Sequence, residues 1–82
     1  MSLVQMRWID KLVARTIVVN LKHDETIRGV LVGTYRDCIV LQHALHLGTL
    51  NGAKLEVPVD GEAIIPRENI AWIQTLAGGR ED

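Results

Sequence analysis

The chain has 82 residues, 48% of them apolar and 23% charged, with a formal net charge of −1. That length holds one domain with a small core, for which self-association is a natural way to bury more apolar surface. The composition excludes intrinsic disorder, and the single cysteine, Cys38, excludes a disulfide framework or a multi-cysteine zinc site. No apolar run nears the roughly 20 residues a bilayer span needs, and Arg7, Asp10 and Lys11 interrupt the start of the chain, so neither a membrane helix nor a secretory signal is expected. Charge is unevenly spread: basic residues prevail up to Arg36 and acidic residues from Asp37 onward. The asymmetry is either scatter over a solvated surface or the basis for head-to-tail packing of a basic face on an acidic one. Bulk charge gives no reason to expect a general nucleic-acid binder.

Residues 2–15 are predicted to form a helix. Ser2 and Gln5 fit a capping box, and Leu3, Met6, Ile9 and Val13 recur at helical spacing, with Trp8 and Leu12 widening the stripe. Asp10, Lys11 and Arg15 fall outside it, so the helix is expected to lie on its own domain. From Thr16 the pattern changes. Residues 16–22 are β-branched, and Ile17, Val19 and Leu21 alternate onto one face of a first strand. A polar turn, His23-Asp24-Glu25, leads to a second strand whose Ile27, Gly29, Leu31 and Gly33 share a face; the paired glycines suit the sharp bend that closes a small barrel. Tyr35-Arg36-Asp37 interrupts, and residues 38–47 form a third, long strand. Asn51-Gly52 is a strong type I′ hairpin signal. Leu55, Val57 and Val59 then alternate with Glu56, Pro58 and Asp60, Asp60-Gly61 turns, 63–65 is a short run, and 70–76 is the last strand before a frayed tail at 77–82. One domain over 1–82 follows, with its barrel over 16–76. The expected class is mainly β: a helix, then a five-stranded, strongly bent antiparallel sheet.

Catalysis finds little support in the residues. His43 and His46 sit three apart in a strand pattern and are expected on opposite faces, which argues against a shared metal site. Ser2 is the only serine and reads as a cap; Cys38, beside an Ile-Val-Leu run, reads as a small core residue rather than an activated thiol. Asp24 and Glu25 are adjacent in a turn and suit solvation. No phosphate loop, nucleophile elbow or zinc-protease motif is present. No enzyme, cofactor or metal is expected.

The sequence does resemble a family. Residues 16–41 look like the first motif of Sm and LSm proteins: a strand ending in Leu21-Lys22, an acidic turn, then Ile27-Arg28-Gly29-Val30-Leu31-Val32-Gly33. Ile65-Pro66-Arg67-Glu68-Asn69-Ile70 stands where the family has Ile-Arg-Gly-x-x-Ile/Val before its last strand, and the preceding amphipathic helix fits. The resemblance runs from about residue 3 to 75, with 48–61 matching nothing specific. It implies an open five-stranded barrel capped by the helix, in homo-oligomeric rings of six or seven subunits. Each ring would pair the fourth strand of one subunit with the fifth of the next, placing Ala63, Ile64 and Ile65 against Ala71, Trp72 and Ile73. Two exposed strand edges closing on each other make physical sense of such a ring.

The family's RNA-binding pattern is where this chain departs. Sm proteins carry Asp and Asn in the loop after the second strand, and Arg or Lys with Gly before the last. Here Tyr35-Arg36-Asp37-Cys38 is one residue short, with Cys38 where Asn would fall, while Pro66 and Arg67 replace the Arg and Gly. Tyr35, Arg36, Asp37 and Arg67 are the RNA-binding candidates, by base stacking and phosphate contact. The favoured reading is that Tyr35 caps the barrel and the arginines pair at the surface or between subunits. Residues 57–62 and 65–74 are also similar to short chains encoded by bacteriophages, particularly of actinobacteria. The resemblance therefore implies a structural or assembly module, a virion or capsid-accessory component with other virion proteins as partners. An RNA-binding ring is the alternative. Localisation is expected to be cytoplasmic or virion-associated.

Overall fold

A computed structural model describes residues 8–76. The cap at Ser2 and Gln5, the Leu3 and Met6 part of the helical stripe and the 77–82 tail lie outside the described residues. Residues 8–10 are helical and run into turns before Arg15, closed by bonds from Lys11 N–H to the Trp8 carbonyl and Leu12 N–H to that of Ile9. The stripe turns out narrower than predicted. Ile9 and Leu12, three apart, are buried, whereas Trp8 and Val13 are exposed, because a chain loosening into turns after Asp10 no longer keeps helical phase.

Six strand segments follow: β1 (Thr16–Leu21), β2 (Thr26–Thr34), β3 (Cys38–Leu50), β4 (Ala53–Pro58), β5 (Ala63–Pro66) and β6 (Ile70–Thr75). They form one antiparallel sheet in the order β4-β3-β2-β1-β6, with β5 also paired to β3. β4 and β5 pair with successive stretches of β3, Leu45–Leu50 and Cys38–Leu41 respectively, so they are the two halves of one interrupted fourth strand. Counted that way, the sheet is the predicted five-stranded one. Pro58 ends the first half, since it has no N–H for a ladder.

The side chains alternate as β geometry requires. Val57, His46, Ile27, Val19 and Ile73 are successive register partners across β4, β3, β2, β1 and β6, and so form one row on the concave side. Ile9, Leu12, Ile17, Val19, Leu31, Ile39, Leu41, Ala44 and Ile65 make the core, with Leu21, Ile27, Val59, Ala63, Ile70 and Ile73 packed around it. The barrel bends where β2 meets β3. The register slips between Arg28 and Val30 and again between Leu31 and Gly33. A Cβ on Gly29 would sit 3.1 Å from the Gln42 carbonyl oxygen and 3.2 Å from the Ala44 Cα, so only glycine lets β3 approach this closely.

Several boundaries differ from the sequence reading. β3 continues to Leu50 rather than ending near residue 47, because the Asn51-Gly52 turn, with φ of 54° and 82°, carries its ladder straight into β4. The stretch 48–61, which matched no motif, contains this hairpin. His43 and His46 face different sides as expected, although the alternation between them breaks: the extra residue at the first slip puts His43 on a bulge, at φ 52° and exposed, while His46 is half-buried in the concave row. Cys38 is half-buried at the start of β3, at the margin of the core instead of within it. The polar turn at 23–25 begins as a 3-10 turn, Lys22–Asp24.

Candidate functional site

The loop between β2 and β3 and the turn between β5 and β6 come together at one end of the barrel. Tyr35 N–H bonds to the Cys38 carbonyl at 2.8 Å, which closes the first loop on itself. Pro66 then delivers the chain into a 3-10 turn, Arg67–Asn69, with an extended φ of −62° and ψ of 135°. Arg67 N–H bonds to the Asp37 carbonyl at 2.8 Å, and Arg67 Nε donates to the Tyr35 carbonyl at 2.6 Å. One residue thus holds both ends of the 35–37 loop.

This arrangement redistributes the predicted roles. Arg67 is only 8% exposed and acts as an internal latch. Its Nε is turned inward onto a backbone oxygen, while the residue also lines the cleft at this end of the barrel. Tyr35 is 59% exposed, with its ring lying over Gly33: a Cβ there would come within 3.0 Å of the ring. Arg36 and Asp37 are exposed. Together Arg36, Asp37, Pro66, Arg67 and Glu68 line an open cleft of about 440 Å³. The cleft mixes two arginines with two carboxylates, which weakens any purely electrostatic attraction for phosphate. The latch escaped the sequence reading, although an arginine enclosed by Ile65-Pro66 and Ile70 was a signal that its surroundings are apolar.

The predicted interface residues divide by face. Ile64 is 66% and Trp72 56% exposed, and Ala71 is exposed as well. Ile65 is in the core, and Ala63 and Ile73 pack against it, so these three can offer a neighbour their backbone but little side chain. β6 is hydrogen-bonded to β1 alone and β5 to β3 alone, leaving one flank of each unpaired among the described residues. A shallow cleft of about 240 Å³ runs beside β6, lined by Trp8, Arg67 and Trp72 among others. Among the described residues no group of three His, Cys, Asp or Glu side chains could hold a metal ion, and no helix is long and apolar enough to cross a membrane.

No protein-family model and no curated protein sequence matches this chain. Solved structures do. The chain is similar to the SmAP1 heptamer subunit of P. aerophilum, with a TM-score of 0.73 at 18% identity over 95% of this chain and all of that one (100%). It is also similar to the Sm protein of Pyrococcus abyssii solved with a uridine heptamer, with a TM-score of 0.69 at 21% identity over 93% and 100% of the two chains. A chain of the NatC complex bound to CoA is a further match, with a TM-score of 0.66 at 18% identity over 89% and 90%. The molecule is therefore an antiparallel, strongly bent β-barrel of the Sm fold.

Proposed function

We propose that this chain is a non-enzymatic assembly module, a subunit of a closed homo-oligomeric ring. The observation that carries this reading is the pair of open edges: β5 and β6 each leave a flank unpaired, and each displays a large exposed apolar side chain, Ile64 and Trp72. Pairing β5 of one subunit with β6 of the next satisfies the backbone of both edges and removes a route to uncontrolled aggregation. The heptameric state of the P. aerophilum protein supports the arrangement. Native mass spectrometry of protein purified without nuclease tests it. A species of six or seven subunits, or of twice that number where two rings pair, is the expected result; a monomer across the micromolar range overturns the ring.

The finer reading, a bacteriophage virion or capsid-accessory ring with other virion proteins as partners, rests on the likeness of 57–62 and 65–74 to short phage-encoded chains. A cytoplasmic or virion-associated location belongs to the same reading. RNA binding is the second reading, favoured by one observation: the exposed Tyr35 ring lies over Gly33, next in sequence to the cleft-lining Arg36, and is open to stack a base. It has support from the P. abyssii protein, which was solved with a uridine heptamer. RNA held through phosphates gives a log K that falls with log salt by about 0.7 per phosphate neutralised. Mass removed by RNase, together with weaker binding by Arg36→Ala, is what this reading requires; salt-insensitive or absent binding ends it.

A further inference from the structure

The β3–β4 hairpin carries a second, separate surface. Beyond the barrel, residues 48–58 are all exposed. The register places Leu50 opposite Ala53, Gly48 opposite Leu55 and His46 opposite Val57, so these six share one face of the ribbon. That face continues the concave row of Val57, His46 and Ile27 past the point where anything covers it. Leu55 is 41% and Val57 45% exposed. The other face carries the charges of the strand: Thr49 lies opposite Lys54 and Leu47 opposite Glu56, and Arg28 of β2 reaches Glu56 at 3.7 Å. β4 is bonded to β3 only, so its outer flank is unpaired among the described residues.

The geometry points to a second copy of this chain as the occupant: we propose that two hairpins pair edge to edge, β4 against β4, antiparallel about a two-fold axis at Leu55. Three features of the strand fit that register together, and the charged residues exclude the shifted ones. First, the axis at Leu55 sets Leu55 against its own copy and Ala53 against Val57, so every position on the apolar face meets an apolar partner. Second, on the polar face it sets Lys54 against Glu56 and Glu56 against Lys54, two opposite-charge cross-strand pairs from one sequence. Moving the axis one residue along, onto Lys54 or Glu56, sets a charge against its own copy. Moving it two residues puts Glu56 opposite Pro58 or Lys54 opposite Gly52. Third, the backbone is available where the register needs it. In a two-residue hairpin the residues flanking the turn bond to each other, so Ala53, Leu55 and Val57 turn their N–H and C=O toward β3, while Lys54 and Glu56 turn theirs outward. Leu55 then forms a non-hydrogen-bonded pair across the axis, where side chains approach most closely, and Lys54 and Glu56 exchange backbone bonds with their counterparts. Pro58 has no N–H and stops the ladder there. This surface is distinct from the β5 and β6 edges, because the break at 59–62 separates β4 from β5.

A charge-swap cycle tests the pairing. Lys54→Glu sets Glu against Glu twice, and Glu56→Lys sets Lys against Lys twice; both side chains are exposed, so neither change disturbs the core. By native mass spectrometry and sedimentation, the wild type is expected at twice the mass of each single variant, and the double variant Lys54→Glu/Glu56→Lys is expected to recover the wild-type mass. Oxidising Leu55→Cys in a Cys38→Ser background should also link two chains, whereas Thr49→Cys in the same background should not. Equal masses for wild type and single variants, no rescue by the double variant, or linking at both cysteine positions overturns the proposal. The two readings fail separately. A ring of unchanged mass in the single variants leaves the ring intact and removes the β4 pairing. A charge-dependent dimer with no larger species leaves the pairing and removes the ring.

Discussion

Arg67 is the residue on which the barrel's loop end depends. Its side chain is buried and its Nε bonds the Tyr35 carbonyl at 2.6 Å, while its backbone N–H takes the Asp37 carbonyl. Arg67→Ala removes a charge-assisted bond and leaves that carbonyl without this donor, which should cost about 1.5–3 kcal/mol. A lower denaturation midpoint with an unchanged slope in urea is the expected signature; a loss below about 0.5 kcal/mol means the latch carries no stability. Gly29 makes the complementary case, where the absent atom matters. Alanine there drives a methyl into the Gln42 carbonyl and the β3 backbone, so Gly29→Ala should lose about 1–3 kcal/mol through overpacking. Its test is the same melt, and a neutral result would show that β3 can give way at the bulge.

In the proposed ring the edge strands would carry assembly and the interior strands stability, and a substitution series separates the two. Ile64 stands outward on β5, so Ile64→Asp should abolish the ring while leaving the subunit's circular dichroism and core packing intact. Ile73, on the neighbouring edge, packs inward, so Ile73→Asp should unfold the subunit itself by burying an unpaired charge. Size-exclusion chromatography beside a thermal melt distinguishes these outcomes, and a folded, ring-forming Ile64→Asp variant would remove β5 from the interface. Element type was largely legible in the sequence, because it depends on period. The alternation at 16–22, the glycines at 29 and 33 and the Asn51-Gly52 turn each have a local cause, and the structure has a strand, a bend and a hairpin there. What the sequence hid has non-local causes. The burial of Arg67 depends on a loop thirty residues away, and the exposure of His43 on a slip against β2. Which of the alternating residues on 63–65 and 71–73 face out likewise depends on where the core lies.

For the whole molecule, the proposed ring would make assembly and stability one quantity. Each subunit buries only a small core and leaves Ile64, Trp72 and two backbone flanks in water. A ring binds the folded subunit and not the unfolded one, so mass action adds to its stability. The unfolding midpoint of the wild type should therefore rise with protein concentration, by roughly 4–8 °C for each ~1 kcal/mol gained over a tenfold rise. The Ile64→Asp subunit, with Lys54→Glu added to remove the β4 pairing, should melt at one temperature throughout. A concentration-independent wild type would show that the lone barrel accounts for its own stability.

The register of β1 with β6, which sets Ile17 against Thr75, also bears on the order in which the chain organises. β2, β3 and β4 are joined by short turns and can form as soon as their neighbours exist. β6 must wait until a loop of about fifty residues closes between Leu21 and Ile70, at an entropic cost of about 3–4 kcal/mol before any contact is gained. The strand that offers Trp72 to a neighbour is thus the last to settle and, held on one flank, the first to come away. Subunits that are still folding present no finished β6 edge, so recruitment into the proposed ring would be confined to chains that have completed their barrel.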